Sequence, residues 1–333
     1  MTLELVCPAG TPSALRAAVE AGADAVYCGF RDETNARNFP GLNFSAEELH
    51  EGIRFAHRYG VRVLVAINTF MRAGIADAAA DPWKIALARA EDAGADAVIL
   101  ADLAVLDHAA THHPGLRLHL SVQAAAATPE AISFYGEAFG VKRVVLPRVL
   151  SVEEIATLNQ AIAVETEAFV FGGLCPMTEG RCALSSYATG RSPNLDGVCS
   201  PPEHVDYAQA PEGTTARLAG FAIDRFAPTQ PAGYPTLCKG SFVVGGKTSH
   251  LFEDPVSLNA AGLVARLAKA GVTALKIEGR QRGKGYVAEV VRTFRAVVEA
   301  VEAERDPVEA ERRLSSLVEG GRQTSGAYRK QWR

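Results

Sequence analysis

Residues 82–102, PWKIALARAEDAGADAVILAD, decide the fold. Over 82–93 the apolar positions recur at helical spacing; Gly94 then interrupts, and ADAVILAD at 95–102 follows as a short run of small and branched apolar residues, the composition of a buried strand. A glycine suits that junction because it ends a helix in a left-handed conformation without a Cβ penalty. The phrase AGADAV occurs at 21–26 and again at 93–98, and AGVTAL at 270–275 is a degenerate third copy. Repeated use of one good local solution accounts for the three copies, ahead of ancestral duplication.

Outward from this junction the same unit recurs. TLELV at 2–6 reads as a strand, 12–21 as a helix opening at Thr11–Pro12, and ADAVYC at 23–28 as the next strand. A helix over 45–59, opened by Ser45 with Glu48 three residues on, leads into a strand at 61–69. Helices at 103–112, 128–139 and 151–161 lead into strands at 116–123, 141–148 and 165–173, and the eighth strand, AGVTALKIEGR at 270–280, precedes a long helix over about 284–304. Strands that each follow a helix are parallel, and eight such units without a GxGxxG loop after the first strand predict a closed α/β barrel of the TIM-like (β/α)8 type. The expected organisation is one barrel domain over 1–305 and a C-terminal tail over 306–333, a short helix followed by polar, basic residues that could pack on the barrel or contact a partner. Residues 174–258 break the alternation. They form an insertion after strand seven, rich in Gly, Pro, Ser and Cys, with a hairpin expected around 242–252.

The 333 residues are 48% hydrophobic and 22% charged, with a formal net charge of -4. Such a balance gives no general electrostatic signal for nucleic acid. No apolar run approaches the roughly 20 residues that span a bilayer, and the first residues lack the basic and apolar regions of a signal peptide. The expectation is a cytoplasmic protein with no membrane insertion and six cysteines in a reducing compartment, where disulfides are rare.

Four cysteines, Cys175, Cys182, Cys199 and Cys238, lie in the insertion with gaps of 6, 16 and 38 residues, each within two positions of a Gly or Pro. Four thiolates match the count for structural zinc or an iron–sulfur cluster, but neither CxxC knuckles nor a CxxCxxC run occurs. Scattered buried thiols, redox partners and nucleophiles remain alternatives at this level. Cys7 and Cys28 fall inside strands one and two and read as small buried hydrophobes, although Cys7, next to Pro8 at a strand end, could approach the barrel mouth.

Several phrases together resemble the collagenase-like peptidase family over nearly the whole chain: ELVCPAGTPSALRAAVEAGADAVYCG at 4–29, DETNARNFPGLNF at 32–44, AINTF at 66–70, ILADLAVLDHAA at 99–110, SVQA at 121–124, RVVLPRVLS at 143–151 and GLCPMTEGRCALSSYATGRSPN at 173–194. AGYPTLCKG at 232–240 and LKIEGRQR at 275–282 look most like the ubiquinone-biosynthesis members. That resemblance implies a 4Fe-4S cluster on Cys175, Cys182, Cys199 and Cys238. It further implies a heterodimer with a UbiV-like partner, an oxygen-independent ring hydroxylation of an aromatic ubiquinone precursor, and prephenate as oxygen donor. Cys28 departs from the aliphatic residue expected there and stays outside the ligand set. The peptidase label finds no support in an HExxH or GxSxG motif. A cluster-bearing electron-transfer or structural subunit, with the chemistry on its partner, is the other reading.

In a barrel, polar residues at the C-terminal strand ends line the mouth. Asn68, Asp102, Gln123, Arg148 and Glu278 are the candidates, each with an ordinary alternative as a helix cap, surface ion pair or internal polar residue. Arg148 is the strongest, because a guanidinium there can hold a carboxylate in a bidentate pair.

Overall fold

The helices begin where side chains can replace the missing backbone partners. Thr11, Asp81, Asp102 and Thr128 each accept backbone N–H groups from the first turns of their helices, while Ser45 and Ser151 form reciprocal capping boxes with Glu48 and Glu154. At the other ends Gly22, Gly94 and Gly271 have φ of 101°, 82° and 89°, so the repeated junction is a left-handed turn at all three places.

The computed structural model describes residues 3–72, 81–175, 182–318 and 322–329. Seven strand and helix units come first: β1 (Glu4–Pro8), α1 (Pro12–Glu20), β2 (Ala25–Gly29), α2 (Ala46–His57), β3 (Arg62–Ile67), α3 (Pro82–Asp92), β4 (Ala97–Leu100), α4 (Leu103–His112), β5 (Arg117–Leu120), α5 (Pro129–Phe139), β6 (Arg143–Val145), α6 (Val152–Ala161) and β7 (Glu165–Gly173). The insertion carries α7 (Ala183–Thr189), α8 (Pro193–Asp196), β8 (Val205–Ala210), β9 (Gly213–Leu218), β10 (Phe221–Phe226), β11 (Ser241–Val244) and β12 (Lys247–His250). The chain then returns through β13 (Ser257–Asn259), α9 (Val264–Lys269), β14 (Ala274–Ile277), α10 (Lys284–Glu302), α11 (Val308–Leu314) and β15 (Gln323–Thr324).

Strands β1 to β7 pair in parallel in chain order, and β14 pairs in parallel with both β1 and β7, which closes the barrel. The expected eight-stranded architecture is therefore present. Strand β13 adds antiparallel to the far part of β7, and β15 pairs with β13. The predicted hairpin is β11 and β12. The three-stranded antiparallel sheet β8–β9–β10 was not foreseen: β8 is largely exposed, and only Ala216, Leu218 and Ile223 of this sheet are buried, so the segment lacks the alternating pattern that announces a strand.

Period-two alternation splits the core into two layers. Val6, Tyr27, Leu64, Ala66, Ile99 and Ala274 meet inside the barrel, whereas their neighbours Leu5, Cys7, Val63, Val65 and Leu275 pack in the larger sheet and helix core. Cys7 and Cys28 are both fully buried in that outer layer, and burial pushes the Cys28 thiol up to about 12. The possible approach of Cys7 to the mouth is thus corrected: its side chain points to the helices. In the tail, Leu314 is buried and the Tyr328 hydroxyl donates to the Phe169 carbonyl at 2.6 Å, which fastens this segment to β7; residues 330–333 lie outside the described residues.

Candidate functional site at the barrel mouth

The C-terminal strand ends surround a pocket to which Asn68, Gln123, Arg148 and Glu278 all contribute. Asn68 spans two elements: its Oδ1 accepts the Ala36 N–H at 3.1 Å and its Nδ2 donates to Ser121 Oγ at 3.1 Å. Gln123 is 4% exposed and lines the same pocket. The Arg148 guanidinium carbon lies 3.5 Å from the centre of the Phe169 ring. Asp102 takes the ordinary role instead, capping α4 through Ala104 N and Val105 N and accepting from Met71 N.

Tyr27, Arg37, Lys276 and Arg280 also line the pocket. The signal for two of them was present: Lys276, Glu278 and Arg280 alternate along one phrase, so a strand that aims Glu278 at the mouth aims the other two the same way. Lys276 Nζ and the Arg280 guanidinium carbon stand 3.9 and 5.4 Å from the Tyr27 ring centre. Arg280 also donates to Asn35 Oδ1 at 2.8 Å, and burial pushes its guanidinium down to about 10. The Tyr27 phenol is pushed up by burial and then by Glu278, and its hydroxyl donates to the Ile277 carbonyl at 2.9 Å. Among the described residues the lining sets one carboxylate, Glu278, against the cations Arg37, Arg148, Lys276 and Arg280. A pocket with that balance attracts anions.

Glu278 joins the pocket to the insertion. Its Oε2 accepts the Gly173 N–H at 3.1 Å, two residues before Cys175, and a Cβ added at Gly173 would meet Glu278 Oε2 at 3.3 Å and Lys239 Nζ at 3.8 Å. Gly172 has φ of 115°, and a Cβ there would lie 2.5 Å from the Glu278 carbonyl oxygen. Gly172→Ala is therefore expected to destabilise the chain by about 1–3 kcal/mol in a denaturant titration and to disturb Glu278, because strain and close approach add. An unchanged unfolding midpoint would contradict this account of the junction.

All four insertion cysteines are half-buried. Cys182 caps α7, its Sγ accepting the Ser185 N–H at 3.4 Å, while Ser185 Oγ donates to the Cys199 carbonyl. Cys238 sits in a turn over Leu237–Lys239 that packs on α7. Burial pushes the Cys238 thiol up to about 12, with Cys199, Cys175 and Cys182 adding to the shift, so the four are electrostatic neighbours. The Cys199 thiol is likewise raised by burial, opposed by Arg37. Among the described residues no three His, Cys, Asp or Glu side chains stand close enough to share a metal ion, so a common centre requires the cysteine loops to draw in. Residues 176–181, between Cys175 and Cys182, lie outside the described residues. The chemistry of the donor set would suit a metal, because thiols raised by burial give up their protons to a cationic centre that binds the thiolates.

The family model for peptidase family U32 matches residues 10–329. The chain belongs to peptidase family U32. Among U32-related proteins, the tRNA hydroxylation protein P1 of Bacillus subtilis (strain 168) is 32% identical over 298 residues, which cover 89% of this chain and 63% of that protein. The 23S rRNA 5-hydroxycytidine C2501 synthase of Escherichia coli (strain K12) is 30% identical over 306 residues, covering 91% of this chain and 40% of that protein. This U32 chain thus spans less than two thirds of the length of these two relatives. Among solved structures, an octameric ribulose-1,5-bisphosphate carboxylase/oxygenase from Pyrococcus horikoshii OT3 superposes with a TM-score of 0.50 at 13% identity, covering 95% of this chain and 64% of that one, a likeness of barrel fold alone. Among the described residues no helix of this U32 member is long and apolar enough to cross a membrane.

Proposed function

We propose that this chain is the iron–sulfur subunit of an oxygen-independent hydroxylase that acts on an aromatic precursor of ubiquinone, a UbiU-like protein working with a UbiV-like partner. The observation that carries the reading is the cation-rich mouth whose one lining carboxylate, Glu278, is hydrogen-bonded two residues from Cys175. Cys175, Cys182, Cys199 and Cys238 would hold a 4Fe-4S cluster, which when bound would supply electron transfer or Lewis-acid activation of the substrate. Arg148 offers two parallel donors to a carboxylate, such as that of a hydroxybenzoate-like ring or of prephenate as oxygen donor. Gln123 offers an amide for a neutral oxygen. The aromatic faces of Tyr27 and Phe169 border the same space.

Hydroxylation is also what the names of the RNA-modifying relatives describe. The phrases AGYPTLCKG and LKIEGRQR favour the ubiquinone branch over RNA as substrate. Proteolysis has less support, because among the described residues no histidine or cysteine lines the mouth to serve as nucleophile or base. The test is reconstitution under nitrogen with the partner, the aromatic precursor and prephenate, with the ring product read by mass spectrometry. Hydroxylated precursor is the expected outcome. Hydroxylated RNA in its place, or sustained digestion of gelatin, would overturn the reading.

A further inference from the structure

A chain of buried charge runs from the mouth through the barrel interior. Lys276 Nζ donates to Glu167 Oε1 at 2.5 Å, and the other oxygen of Glu167 lies 3.4 Å from Arg143 Nη1. Arg143 is held in turn by Glu4 at 2.7 Å and Glu165 at 2.8 Å, and those carboxylates reach the half-exposed Arg62 and Arg117. Glu167 is wholly buried. Buried charges persist only where they are paired, and removing one partner strands the other.

The pairing is uneven along the chain. Arg143 has three carboxylates, and although burial opposes its charge, Glu4, Glu167 and Glu165 outweigh that cost and raise its pKa. Lys276 has one carboxylate, shared with Arg143, and it also lines the mouth over the Tyr27 ring. Its ammonium is the end of the chain that faces the pocket.

We propose that Lys276 is a second mouth cation that, beside Arg148, receives the anionic group of the substrate, and that Glu167 is its positioning residue, fixing the ammonium over the Tyr27 ring. The proposal rests on the reading of the mouth as an anionic-substrate pocket and adds a binding contact and its support to it. The groups that bear on Lys276 are Glu167 on β7, Arg143 on β6, Tyr27 on β2, His119 on β5, Cys7 on β1 and Arg280 on the loop after β14. Burial lowers the Lys276 pKa, Glu167 counteracts that, and Arg280 and Arg143 lower it further. His119 is held neutral by burial and by Arg143, so it adds no competing charge.

The sign follows. Anion binding through a charged Lys276 is present below its lowered pKa and is lost as pH rises through it. Without Glu167 the loss moves to lower pH. Glu167→Gln is a tolerable probe because Arg143 keeps Glu4 and Glu165 and the amide keeps the carboxylate's shape. The experiment titrates 4-hydroxybenzoate into the anaerobically purified full chain by calorimetry from neutral to alkaline pH. Lys276→Gln should weaken binding about ten-fold or more. Glu167→Gln should move the midpoint of the pH profile down by about one unit or more, and Glu167→Gln with Lys276→Arg should restore binding and flatten the profile. Circular dichroism checks that each variant is folded, and Lys276→Arg alone, whose wild-type Glu167 is intact, should bind without alkaline loss even if the Glu167 variants do not fold. Equal affinity in Lys276→Gln, or an alkaline loss unchanged in Lys276→Arg, sinks this inference while leaving the anion pocket standing. Failure of the wild-type chain to bind the acid at any pH sinks both.

Discussion

Changing Cys238 to alanine is expected to leave a folded barrel that no longer holds iron. Cys238 lies in a half-buried turn of the insertion, outside the barrel strands, so its loss removes a ligand without opening the core. Chains purified under nitrogen should therefore keep the circular dichroism of the wild type while the visible absorbance, iron and acid-labile sulfide fall to a minor fraction, with the same result for Cys175, Cys182 and Cys199. The buried Cys28 is the control: Cys28→Ala should keep its iron. Zinc without iron in the wild type would falsify the cluster assignment.

Arg148→Ala is expected to do the reverse, keeping the cluster and losing the substrate. The guanidinium stacks on Phe169 inside the mouth. A lost charge-assisted contact of about 1.5–3 kcal/mol should weaken binding of an aromatic acid by about ten- to a hundred-fold. Arg148→Lys should recover part of this, since a lysine restores charge but not the two parallel donors. Full turnover by Arg148→Ala in the reconstituted complex would remove Arg148 from the site.

These two variants divide the site along the line that separates what the sequence made legible from what it did not. The barrel is written locally: caps at Ser45 and Ser151 and left-handed glycines at 22, 94 and 271 act within a few residues, so each junction can be read where it stands. The strand-end polar residues were legible for the same reason, except that Asp102 serves as a cap. Tyr27 is not legible in this way, because a barrel strand carries its functional and packing residues in alternation and closure decides which face of that strand is inward. The long ion-pair chain was beyond reach: Glu4 and Arg143 are 139 positions apart. The β8–β10 sheet buries too little to imprint a pattern. As for the cysteines, their number points to a metal, no three donor side chains among the described residues stand close enough to share one, and the preference for iron over zinc rests on the resemblance.

The hydrogen bond from Gly173 to Glu278 has a thermodynamic corollary. One carboxylate belongs at once to the substrate pocket and to the backbone that leads into Cys175, so a ligand that displaces Glu278 also works on the cysteine loop. With iron bound, the free energy of that coupling is reciprocal: whatever factor the metal centre contributes to substrate affinity, the substrate returns to the stability of the centre. A resting subunit and a loaded one would then differ in how tenaciously they hold iron against a chelator, and that difference is a measure of the strength of the connection.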